Sequence, residues 1–142
     1  MTVPEDWQPG RLSTFRKAAY NIADGEKQAE VTVMDFPAGT GSPMADPLAN
    51  ANRWRGQVGM EPLDADSIKS NSETVEIDNK QGSYFELLPE GQPTGILAAM
   101  VQRGDKMWFF KMSGDRRLVA DQQDNFRSLL KSVKFGDSNG DN

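Results

Sequence analysis

Neither cysteine nor histidine occurs anywhere in this 142-residue chain. Without cysteine there are no disulfides, thiol nucleophiles or thiolate metal sites; the redox compartment stays open, because cysteine-free chains suit either side of a membrane. Without histidine the chain cannot assemble a Ser-His-Asp or Cys-His constellation, an HExxH zinc site or an imidazole switch. Any catalysis would have to use Asp, Glu, Lys, Tyr, Ser or Arg. No apolar run approaches the roughly 18 residues that cross a bilayer, and the opening "MTVPEDWQPG" lacks the basic and apolar regions of a signal peptide. Positive charge is scarce as well. Sixteen Lys and Arg face 21 Asp and Glu, giving a net charge of −5 and a pI near 4.7. That balance lacks the basic footprint that phosphate neutralisation requires, so nucleic acid is not an expected partner.

What is present reads as a globular domain over residues 1–135, followed by a polar, disordered tail at 136–142. A chain this long can bury roughly 68–70% of its unfolded surface, enough for a core without staples. Pro4, Pro9 and Gly10 break up residues 1–12, with Trp7 expected to fold back on the body. Strands are expected at 13–22 and 29–36 around the turn "ADGEKQ", the second alternating Val31 and Val33 against Glu30 and Thr32. After the loop "PAGTGSPMADP" (37–47), which lacks the Gly-Lys-Ser/Thr ending of a P-loop, Asp46 and Pro47 start a helix over 47–58. Its stripe is Leu48, Ala51, Trp54 and Val58. A short helix within 62–70 is capped by Asp64. Two further hairpins follow: 73–78 with 82–89 about "NKQG" (79–82), and 94–104 with 105–114. Ile96 to Val101 and Met107 to Phe110 are apolar on both faces, which places them mid-sheet. The stripe Leu118, Val119, Gln122, Phe126, Leu129, Leu130 and Val133 predicts one helix over about 115–132. The order ββααββββα implies an α+β fold, a mainly antiparallel sheet of about six strands with helices on both faces, an α/β/α sandwich.

That order resembles the PsbP-like domains. The stretches "ANANRWRGQVGMEPL" (49–63), "MWFFKMSGD" (107–115) and "FRSLLKSVKF" (126–135) resemble a family of uncharacterised bacterial proteins of planctomycete type, often exported or lipid-anchored. The resemblance implies a periplasmic or membrane-anchored setting, with any signal lying outside this chain. It also favours an assembly or interaction module over an enzyme, by analogy of fold.

The densest polar group is Arg53, Arg55 and Gln57 around Trp54, with Asn50 and Asn52. Arginine offers a planar fork to carboxylate or phosphate, so this flank is a candidate surface for an anion or acidic partner. Competing with that, Trp54 lies on the apolar stripe, and the arginines complement the helix dipole or pair with Glu61, Asp64 or Asp66. "SGDRR" (113–117) opens the last helix, where Arg116 and Arg117 could hold an anion, although Asp115 is the natural cap. "DSNGDN" (137–142) begins like a calcium loop but lacks its glycine and closing glutamate. Glu73, Glu76, Asp78 and Glu86 could align as paired carboxylates; alternating acids on a strand usually form its wet face. Tyr84 and Lys106 stand without a visible partner. No catalytic residue, metal site or cofactor is assigned. The leading expectation is a non-enzymatic, extracytoplasmic binding or accessory module contacting an envelope protein. The alternative is a small-ligand or anion-binding domain, or a weak hydrolase, with a pocket near the 37–47 loop and the Arg53–Arg55 flank.

Overall fold

The computed structural model of the protein describes residues 4, 7–10, 16–37 and 46–133. The tail at 136–142, most of the 37–47 loop and the start of the first predicted strand lie outside them. The elements are β1 (Gln8–Pro9), β2 (Arg16–Asp24), β3 (Lys27–Pro37), α1 (Pro47–Gln57), α2 (Ala65–Ser70), β4 (Glu73–Ile77), β5 (Lys80–Leu87), β6 (Thr94–Arg103), β7 (Lys106–Asp115), α3 (Arg116–Asp121) and α4 (Gln123–Ser132).

The fold is α+β, with one open antiparallel sheet in the order β1-β2-β3-β7-β6-β5-β4. Two meanders meet where β3 pairs with β7 along its length, from Ala29↔Gly114 to Pro37↔Lys106. The sheet has seven strands rather than six. The extra one is β1, which pairs Gln8 with Asn21 and Pro9 with Tyr20 inside a segment expected to be irregular. Proline is tolerated there because an edge position requires no ladder N–H. Trp7 folds back as expected, 3% exposed, its Nε1 donating to Gln122 Oε1 at 3.2 Å.

Two other expectations are corrected. The turn of the β4–β5 hairpin is Asp78-Asn79, not 79–82; both residues have positive φ, 49° and 66°, the geometry of a tight two-residue turn. Gly82 serves packing instead. A Cβ there would stand 2.5 Å from the Met100 carbonyl oxygen, so glycine lets β5 approach β6. The C-terminal helix is two helices, broken at Gln122, whose N–H bonds Leu118 and Val119 carbonyls at 3.1 Å while its own carbonyl accepts from Phe126 at 2.8 Å.

Apolar residues divide into two clusters. Side chains alternate along a strand, and β6 sends Leu97, Ala99 and Val101 to one cluster and Ile96, Ala98 and Met100 to the other. Leu118, Val119, Phe126, Leu129 and Leu130 of α3 and α4 join the first. Ala51, Trp54 and Ile68 of α1 and α2 join the second.

Candidate functional site

The sequence directs attention to α1, where most of the polar group turns out to be engaged in holding the fold. Trp54 is 4% exposed, its indole edge-on to Phe85 and Phe109 with ring centroids 6.1 Å away in each case. Arg55 donates from Nε to the Glu61 carbonyl at 2.6 Å, and Asn52 exchanges two 2.8 Å bonds with the Leu63 backbone. These bonds fasten the α1–α2 connection and reach backbone rather than the acids expected as partners. Arg53 donates to Asn50 Oδ1 at 2.6 Å. Gln57 accepts from Lys111 Nζ at 2.8 Å. Lys111, on β7, was not singled out from the sequence; burial foremost, then the neighbouring Arg53, lowers its pKa. Its signal was a lone cation inside an apolar strand.

Arg116 and Arg117 are the first two residues of α3. Asp115 caps α3, accepting from the Arg117 and Leu118 amides at 3.0 and 3.1 Å. Arg116 turns back to the Leu88 carbonyl at 2.9 Å, leaving its buried Nε without a hydrogen bond. Arg117 is exposed. The structure does not bring these two together with the α1 group.

The acids of the second hairpin form a different arrangement. Across the β4–β5 register Glu73 stands opposite Tyr84, and Glu86, two residues on, shares that face. Arg127 of α4 reaches down to all three. It donates to both Glu73 oxygens at 2.9 and 3.0 Å and to Glu86 Oε2 at 3.1 Å, with its guanidinium carbon 4.5 Å from the Tyr84 ring centroid. Tyr84, far from lacking a partner, donates its hydroxyl to Glu86 Oε2 at 2.8 Å. Arg127 holds the Glu73 carboxyl below its ordinary pKa. Burial, then the Glu86 carboxylate, raises that of the Tyr84 phenol. Glu73 is therefore held as a carboxylate and the phenol is kept neutral. The group clamps helix to hairpin.

Beside this clamp lies a cavity of about 530 Å³, lined by Glu73, Val75, Glu76, Asp78 and Asn79 from the hairpin and by Arg127, Leu130 and Lys131 from α4. Among the described residues β4 ends the sheet, pairing with β5 alone. The cavity thus runs along the last strand of the sheet among these residues, with Val75 and Leu130 as its apolar lining beside charged side chains. Arg127 was missed from the sequence because it reads as a helix flank; the tertiary fold alone brings it over Tyr84.

Among the described residues no cluster of three or more acidic side chains could hold a metal ion, and no helix is long and apolar enough to cross a membrane. No family model and no curated protein sequence matches the chain. Among solved structures, protein PA94 of Pseudomonas aeruginosa, described as of unknown function and a candidate regulator, matches with 10% identity and a TM-score of 0.51, over 94% of this chain and 89% of its own. A Bacteroides thetaiotaomicron protein matches with 12% identity and a TM-score of 0.39, over 81% of this chain and 37% of its own. The first likeness shows a shared fold and leaves function to the chain's own geometry.

Proposed function

We propose that the protein is a non-enzymatic binding module of the cell envelope that takes its partner in the β4–α4 groove. The observation carrying this reading is the groove itself, formed beside β4, the last strand of the sheet among the described residues, where apolar and charged side chains meet. Clefts with a few convergent polar groups are the usual place for recognition. Catalysis is disfavoured by the chemistry alongside, since the Glu73–Arg127–Glu86–Tyr84 group is closed on itself. The resemblance to PsbP-like domains and to exported bacterial proteins supports an interaction role outside the cytoplasm. The two apolar clusters support an α/β/α sandwich, with α1 and α2 against one face of the sheet and α3 and α4 against the other.

A photo-crosslinking amino acid in place of Lys131 tests the reading in the native host, with the exposed Gln102 on β6 as control position. A discrete adduct from 131 and none from 102 is expected. No adduct at 131, or the same adducts at both, overturns the groove as the binding site.

A second reading, an anion site on the α1 flank, is supported by the proximity of Lys111 and Arg53, two cations that a bound anion would relieve. Phosphate or sulfate would then raise the melting temperature in step with ln(1 + [L]/Kd), and Arg53→Ala would abolish the shift. A flat response to both anions rejects it.

A further inference from the structure

We propose that the side-chain amine of Lys111 is a modification site, which takes up carbon dioxide as a carbamate paired with Arg53. The site is separate from the groove and requires no phosphate or sulfate. Lys111 stands on β7, the middle strand of the sheet, between Thr32 of β3 and Ala98 of β6. Side chains alternate along a strand, so Phe109 and Met107 share its face, and both belong with Ala98 to the second apolar cluster. An ammonium is strongly hydrated, and a half-buried place on such a wall suits it poorly. The group that receives it is neutral, since Nζ donates to Gln57 Oε1 at 2.8 Å. Arg53 lies one turn before Gln57 on α1 and therefore on the same side of that helix. Asn50, 3% exposed, holds it there by accepting from Nη1 at 2.6 Å. Thr32 and Asn50 are the two buried polar residues among those described, and both flank this pair of cations.

Burial, then Arg53, lowers the Lys111 pKa; Glu30, diagonal to it on β3, acts the other way and more weakly. The amine thus sheds its proton more readily than an ordinary lysine, and the neutral form carries the lone pair that attacks carbon. In the step the N–C bond forms, one C=O electron pair moves onto oxygen, and the nitrogen's proton leaves to solvent, giving –NH–COO−. No oxidant or further reactant is involved. The product inverts the charge at this place. A cation beside a cation becomes a carboxylate facing a guanidinium, the group whose planar fork matches it. Gln57 serves the new form as well, because its side-chain amide, turned over, offers N–H in place of oxygen. The Lys111–Gln57 bond lies at the surface, so the gas arrives without opening the core.

The test exposes the folded protein to isotopically labelled carbon dioxide, fixes carbamates as ethyl esters with triethyloxonium, and maps the label by peptide mass spectrometry. Label is expected at Lys111, with little at the exposed Lys69 and Lys80. At constant dissolved carbon dioxide it should appear at lower pH on Lys111 than on the other two. Urea should erase the preference, since the unfolded chain offers neither burial nor Arg53. Arg53→Gln should reduce the Lys111 label to the level of Lys69 and Lys80, with their own label unchanged. Should that variant misfold, the comparison of folded with urea-unfolded wild type still decides. No label at Lys111, equal label on the three lysines, or a Lys111 label indifferent to Arg53→Gln overturns the proposal. A melting temperature raised by phosphate without label at Lys111 removes the carbamate and keeps the anion reading. Label at Lys111 with a flat response to phosphate and sulfate does the reverse.

Discussion

At Tyr84 a single phenol reports how α4 is held. Its hydroxyl is buried and bonded to a carboxylate, so ionising it would place two negative charges together. Its pKa is therefore raised in the folded state, and the stability it lends is complete below the ordinary phenol value of about 10. Above that value the unfolded chain ionises while the folded chain does not, and stability falls. Ultraviolet difference titration should accordingly give the same tyrosinate amplitude for wild type and Tyr84→Phe until the protein unfolds. A larger wild-type amplitude while the fold is intact would show the phenol ionising in place. Glu73 has the opposite sign. Arg127 lowers its pKa, so its contribution is full above the ordinary 4.5 and is lost as pH falls through the folded value. With the Glu73 side chain 55% exposed, solvent screening limits the pair to about 1 kcal/mol or less. Urea titrations from neutral to acid pH should find Glu73→Gln losing less stability than wild type. An identical acid limb for both proteins would mean that the bidentate contact contributes nothing in solution.

Among the elements, those written by one local pattern were legible and those set by a distant neighbour were not. Asp46, Pro47 and the stripe through Trp54 specify α1 wherever it packs. Asp64 as the α2 cap and the apolar centre of β6 and β7 are equally local. β1 was invisible because two residues carry no periodicity; only the ladder to Asn21 and Tyr20 makes them a strand. Gly82 misled because glycine most often marks a turn, whereas here it answers the approach of Met100. The break at Gln122 was hidden for a similar reason. Leu118, Val119, Gln122 and Phe126 keep helical spacing through it, and no glycine or proline marks the site. One partner of Gln122 is remote, since its Oε1 accepts from Trp7 as well as from the nearby Asn125. The candidate site divides along the same line. The Arg53–Arg55 group could be listed from sequence and is mostly engaged by the fold, whereas the groove needs β4 and α4 placed together. One local feature gives a sharp expectation at this scale. Asp115 caps two amides at the start of α3, so Asp115→Ala should cost about 0.5–2 kcal/mol in urea unfolding. No loss would mean that solvent replaces the cap.

Across the whole molecule β6 is the shared wall, contributing alternate side chains to both apolar clusters, so neither can be lost while the other keeps its packing. Unfolding should then be a single cooperative transition, as for most domains of this size. The tryptophans make this measurable. Trp54 belongs to the second cluster, Trp7 to the first, and Trp108 packs against the first. In a Trp54→Phe background all remaining indole emission reports on the first cluster. Val58, 2% exposed, belongs to the second. Adding Val58→Ala there should cost about 2 kcal/mol through lost burial and a residual cavity. If the clusters are coupled through β6, the urea midpoint seen by Trp7 and Trp108 falls with the midpoint seen by far-ultraviolet circular dichroism. If they are separate, the indole midpoint stays at the parent value while the dichroism curve broadens or splits. The first outcome would extend the cooperative unit from α1 to α4 and couple the β4–α4 groove to packing in the second cluster. A partner bound in the groove would then stabilise α1 as much as α4, detectable as slower amide exchange at Trp54 when the groove is filled.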